Sequence, residues 1–105
     1  MGIRYFKGDE IMKAHVRNYF KHFGIGMEDV VRCENCGKEG RVDKGGFDLH
    51  HITARSHGGG DEAGNIILLC RRCHNAAHGL EKTYLHKDVL QKIHDDFMKI
   101  NGKTL

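Results

Sequence analysis

At 105 residues the chain is long enough for one compact domain and too short for two. A hydrophobic fraction of 39% excludes a thick apolar core, so an added staple is expected, and the four cysteines can supply it. The net charge of +3 permits a nucleic-acid partner without arguing for one, and no apolar run approaches the length of a helical membrane span. The opening MGIRYFKGDE lacks the apolar stretch of a secretory signal. A reducing cytoplasm is therefore the expected compartment, where cysteines read as metal ligands rather than disulfides.

In chain order, residues 8–23 place Met12, Val16, Tyr19, Phe20 and Phe23 on one helical face, and Gly24-Ile25-Gly26 ends that helix. Residues 33–79 are rich in Cys, His and Gly. Within them, Phe47-Asp48-Leu49-His50-His51-Ile52 alternates as a short strand. A polar, glycine-rich loop over 53–64 follows, of a length that is usually functional when it lacks regular structure. Ile66-Ile67-Leu68-Leu69 reads as a second, buried strand, and residues 71–80 as a helix. Over 87–100, Val89, Leu90, Ile93, Phe97 and Ile100 again repeat at helical spacing. The expected architecture is α+β: a small ββα module flanked by two supporting helices, in a single domain over 1–105.

Cys33-x-x-Cys36 and Cys70-x-x-Cys73 are two knuckles of equal spacing. Each can grip one face of a tetrahedral ion, and together they complete a four-cysteine structural zinc site. With all four positions filled by thiolates, that ion would hold the fold and do no chemistry. Gly37 suits the tight turn after the first knuckle. A redox role is disfavoured because the CxxC spacing is duplicated and no thioredoxin-like context surrounds it.

A second site is expected from the histidines. His50 and His51 are adjacent on the first strand and should point to opposite faces. His74 and His78 lie one helical turn apart on one face. Three imidazoles with an open fourth position make a catalytic arrangement. His15, His22, His57, His86 and His94 have no such pairing and are expected at the surface, with His57 a secondary candidate for substrate contact.

Taken together, Cys33-x2-Cys36, Asp48-Leu49-His50-His51-Ile52, Arg55-Ser56-His57-Gly58-Gly59, Asn65 and Leu69-Cys70-x2-Cys73-His74-x3-His78 resemble the HNH endonucleases of the ββα-metal superfamily. The resemblance implies that His51 is the general base and that His50, His74 and His78 hold the catalytic metal. It implies that Asn65 holds the loop so that the base is oriented, and that Asp48 supports the ligands from behind. Arg55, and with it Arg71 and Arg72, would approach phosphate. The implied reaction is metal-dependent hydrolysis of DNA to 5′-phosphate and 3′-hydroxyl ends. No recognition element is evident, so weak sequence preference is expected.

Two departures bear on this reading. Ala54 stands where the family often has proline, and His50 where many members have aspartate. Three nitrogen ligands favour zinc, nickel or manganese over magnesium, which prefers oxygen. One such site cuts one strand, so a duplex break needs a homodimer or two visits. Small chains of this kind resemble prokaryotic or phage nucleases. The competing reading, a non-catalytic zinc ribbon that binds nucleic acid or protein, accounts for the cysteines and the charge. It leaves His50, His51, Asn65, His74 and His78 unexplained. A zinc hydrolase acting on another substrate would fit the three histidines but has no residue pattern of its own.

Overall fold

The computed structural model describes residues 13–101. In chain order they form helix α1 (Ala14–Phe23), strands β1 (Val30–Arg32), β2 (Glu39–Arg41), β3 (Phe47–His51) and β4 (Ile66–Cys70), then helices α2 (Arg71–Ala77) and α3 (Lys87–Asn101). Two antiparallel hairpins result, β1 with β2 and β3 with β4. In the second hairpin Phe47 pairs with Cys70 and His51 with Ile66. The β3–β4–α2 sequence is the expected ββα unit. The β1–β2 hairpin was not read from the sequence, because three-residue strands around a knuckle carry no usable alternation.

β4 is buried along its whole length, because both of its faces are covered. Ile67 and Leu69 enter a cluster with Cys33, Ile52, Cys70, Cys73 and Leu90. Ile66 and Leu68 enter another with Tyr19, Phe20 and Val31. The two-residue period of a strand splits the apolar run between α1 on one side and α2 and α3 on the other.

The helices differ from expectation in detail. Of the N-terminal helix expected from residue 8, residues 8–12, including Met12, lie outside the described residues, and Lys13 is extended, so the helix starts at Ala14. α2 ends at Ala77 rather than Leu80. The cause is Gly79, whose φ of 76° sets a left-handed turn. There the Gly79 N–H donates to the Ala76 carbonyl and the Leu80 N–H to the Asn75 carbonyl. In α3, Val89 and Ile100 are exposed rather than core, while Leu90 is buried.

His94, expected at the surface, is completely buried. Its Nδ1 lies 2.7 Å from Glu34 Oε1, and its Nε2 donates to the Ala63 carbonyl at 2.6 Å. Glu34 Oε2 also accepts from the Tyr19 hydroxyl and from the Leu68 N–H. Burial works against a charged imidazole, but the hydrogen bond and charge of Glu34 outweigh it and His94 is raised above its ordinary value. The buried acid that makes it tolerable lies sixty residues away in sequence. Replacing His94 with alanine leaves the Glu34 carboxylate buried without its cation. A loss of about 3–5 kcal/mol is expected, measured by urea unfolding of the zinc-loaded protein.

Candidate active site and metal centres

The four cysteine sulfurs lie within 4.8 Å of one another. Cys36 and Cys70 Sγ are 3.7 Å apart, close to the ~3.8 Å separation that a tetrahedral ion with ~2.3 Å sulfur bonds requires. The Cys36 N–H and the Asn35 side chain donate to Cys33 and Cys73 Sγ respectively, which favours thiolates. Burial acts to raise Cys70, but hydrogen bonds from Cys73, Cys36 and Cys33 bring it down to about 7. Burial pushes Cys73 up to about 12. The donor set fits a structural zinc. Gly37, with φ of 83°, makes the turn after the first knuckle and donates its N–H to the Cys33 carbonyl.

β3 ends on the second centre. His50 lies with His74 and His78, one ligand nitrogen from each within 4.8 Å of the others. His74 and His78 Nε2 are 3.1 Å apart, near the ~3.3 Å expected of two imidazoles on one ion. His78 caps α2 rather than lying inside it, yet the final turn still aims it at His74. Burial, with His74 and His78 beside it, lowers His50 to about 4, so its lone pair is available at neutral pH. Asp48 Oδ2 lies 3.1 Å from His74 Nδ1 and 3.0 Å from Arg71 Nε. It faces the ring nitrogen that points away from His78, at ion-pair distance but without hydrogen-bond geometry. The donor set fits a divalent transition metal with an open position.

His51, the next residue, joins a different group. Its Nε2 lies 2.8 Å from Asp61 Oδ1, and its ring centroid is 4.5 Å from that of His15. The hydrogen bond to His51 holds Asp61 below the usual carboxylate range. An ionised carboxylate only accepts, so His51 Nε2 carries a proton, and in the neutral ring the lone pair is then on Nδ1. Burial lowers His15, and His51 lowers it further, so His15 is half-buried beside His51 rather than a plain surface residue. One cleft of about 460 Å³ is bordered by His15 on one side and by Asp48 and His74 on the other.

Asn65 sits beneath the loop and is buried. Its Oδ1 accepts from the Thr53 N–H at 2.9 Å, and its Nδ2 donates to the Thr53 and Gly60 carbonyls. These bonds tie the end of β3 to the segment carrying Asp61. From α1, the Asn18 side chain donates to the Asp61 carbonyl. Residues 53–64, expected as irregular loop, contain a short 3-10 turn at Arg55–His57.

Of the expected phosphate contacts, Arg55 is exposed, with its Nε 3.8 Å from Asp61. Arg71 flanks Asp48. Arg72 lies instead beside Cys36, Cys70 and Cys73, in the groove of the cysteine cluster. His57 is exposed on its turn. Sequence reasoning missed Asp61 and His15. Asp61 stood in an unpatterned loop, and His15 on a helix whose docking was unknown. The available signal for Asp61 was that it is an acid close in sequence to the His-His pair.

Residues 33–79 match the HNH endonuclease family. The matched segment is the one that carries the sequence resemblance. Over 95 residues the chain is 30% identical to the type IV methyl-directed restriction enzyme EcoKMcrA of Escherichia coli (strain K12), covering 80% of this chain and 34% of that protein. Over 40 residues it is 45% identical to the probable mobile endonuclease C of Enterobacteria phage T4, covering 38% of this chain and 19% of that protein. The chain thus spans about a third and a fifth of the lengths of these two curated relatives. No solved structure gives a significant match. No helix among the described residues is long and apolar enough to cross a membrane.

Two outcomes test this geometry. Stripping metal with a strong chelator should abolish cooperative unfolding followed by circular dichroism, and added zinc should restore it. Gly59→Ala would place a Cβ 1.8 Å from the Thr53 carbonyl oxygen. It should lower stability by about 1–3 kcal/mol in thermal unfolding, through the loop alone.

Proposed function

We propose that the chain is a metal-dependent endonuclease that hydrolyses DNA phosphodiester bonds, with His51 as general base. The observation that carries this is a single strand end that offers His50 to a three-histidine cluster and, in the next residue, His51 to an ionised Asp61. Asp61 holds the Nε2 proton of His51. Nδ1 is then the atom that takes a proton from water, and an imidazole suits that task near neutral pH. The developing imidazolium is stabilised by the adjacent carboxylate. A divalent ion held by His50, His74 and His78 supplies Lewis-acid stabilisation of charge on the phosphate. Asp48 fixes the His74 ring, and Asn65 fixes the loop behind His51. Arg55 and Arg71 hold the sugar-phosphate backbone through charge, which positions the duplex and carries no sequence information.

On this reading the products carry 5′-phosphate and 3′-hydroxyl ends, sequence preference is weak, and binding falls steeply with salt. Zinc, nickel or manganese supports the reaction better than magnesium. The whole of 1–105 acts as one HNH domain in the cytoplasm of a prokaryotic or phage-infected cell. One copy cuts one strand per visit. A non-catalytic zinc ribbon has no use for the paired His51 and Asp61.

The test is nicking of supercoiled plasmid after loading with each ion in turn. His51→Ala should lower the rate by about 10²–10⁴-fold with circular dichroism unchanged. Absence of nicking with every ion, or equal nicking by both proteins, would return the zinc-ribbon reading.

A further inference from the structure

We propose that His15, His51 and Asp61 form a second transition-metal site, distinct from the three-histidine centre, and that filling it disables the base. The inhibitory half of this rests on the nuclease reading, whereas the binding half does not. Each of the three residues offers a ligand atom within 4.8 Å of the others. Two ligands on a tetrahedral zinc lie about 3.4 Å apart, so small side-chain rotations bring the group onto one ion. Two imidazoles and one carboxylate are a donor set for zinc, nickel or copper rather than for magnesium.

The site is also held from behind. The Asn18 side chain donates to the Asp61 carbonyl, and Asn65 donates to the neighbouring Gly60 carbonyl. Asp61 thereby meets both histidines without folding on demand. All three residues are half-buried, accessible to an ion in solution. Arg55, 3.8 Å from Asp61, is the cation that opposes occupation, and its largely exposed side chain can turn to solvent.

The chemical consequence follows from the imidazole. With Asp61 accepting the Nε2 proton, Nδ1 has a lone pair for water. A metal bound at Nε2 displaces that proton, and the neutral ring then keeps its one N–H at Nδ1. No basic nitrogen remains, so the same three side chains either orient the base or silence it.

The experiment is equilibrium dialysis of the purified protein, its cysteine site filled, against zinc at rising concentration. The wild type should hold three equivalents in total, the one already in the cysteine site and one for each of the other two clusters. His15→Gln and Asp61→Asn should each stop at two, with unfolding curves like the wild type. Arg55→Gln should tighten the third equivalent. Saturation of the wild type at two equivalents, or retention of the third by both variants, overturns the site. Excess zinc should inhibit manganese-supported nicking by the wild type, and His15→Gln should relieve that inhibition. Loss of the third equivalent without relief overturns the inhibitory role. If the protein nicks no DNA, the zinc count still decides the site and only the nuclease reading fails.

Discussion

The buried carboxylate of Glu34 is the interaction on which the rest of the structure depends. It lies inside the first cysteine knuckle and receives bonds from Tyr19 of α1, Leu68 of β4 and His94 of α3. One charged group thus joins three elements that share no local sequence. From His94 the chain of contacts continues to the Ala63 carbonyl, then two residues on to Asn65, and through it to Thr53 and Gly60. A buried pair of this kind adds little net stability beside an apolar alternative, yet it is intolerant of losing one member. Its value here is geometric, because it fixes the cysteine cluster, the outer helices and the loop over 53–64 relative to one another.

The thin core makes that arrangement necessary. β4 serves two apolar clusters at once, and neither contains enough large side chains to hold a module of this size alone. A metal held by the two distant knuckles would close the loop from Cys36 to Cys70 and secure the start of α2, which begins at Arg71. His74 follows Cys73 directly, so the position of one nitrogen of the three-histidine cluster is set by the cysteine cluster. A rigid support of this sort is what a constellation of three imidazoles needs, since free histidines would repel once protonated and wander when neutral.

Adjacent histidines on β3 divide the chemistry. The alternation of a strand sends His50 toward His74 and His78 and leaves His51 for Asp61 and His15. The separation keeps the histidine paired with an acid apart from the nitrogens that face one another in the three-histidine cluster. Burial lowers His50 to about 4 and so keeps it a ligand, while an acid sets the tautomer of His51.

The sequence by itself determined the ββα order, the four-cysteine cluster, the three-histidine cluster and the apolar faces of the outer helices. These depend on short spacings: two residues within a knuckle, four along a helix, two along a strand. Asn65 was legible through its place between the His-His pair and the second knuckle. Only the tertiary structure decided that His94 is core, that His15 stands against His51, that Asp61 pairs with His51 and that Arg72 lies on the cysteine side. His94, His15 and Arg72 depend on how helices dock, and Asp61 on how a twelve-residue loop returns across a strand end. Such contacts join residues whose separation along the chain carries no period, so no local pattern encodes them. They are set by which apolar faces meet and by where buried charge finds its counterpart.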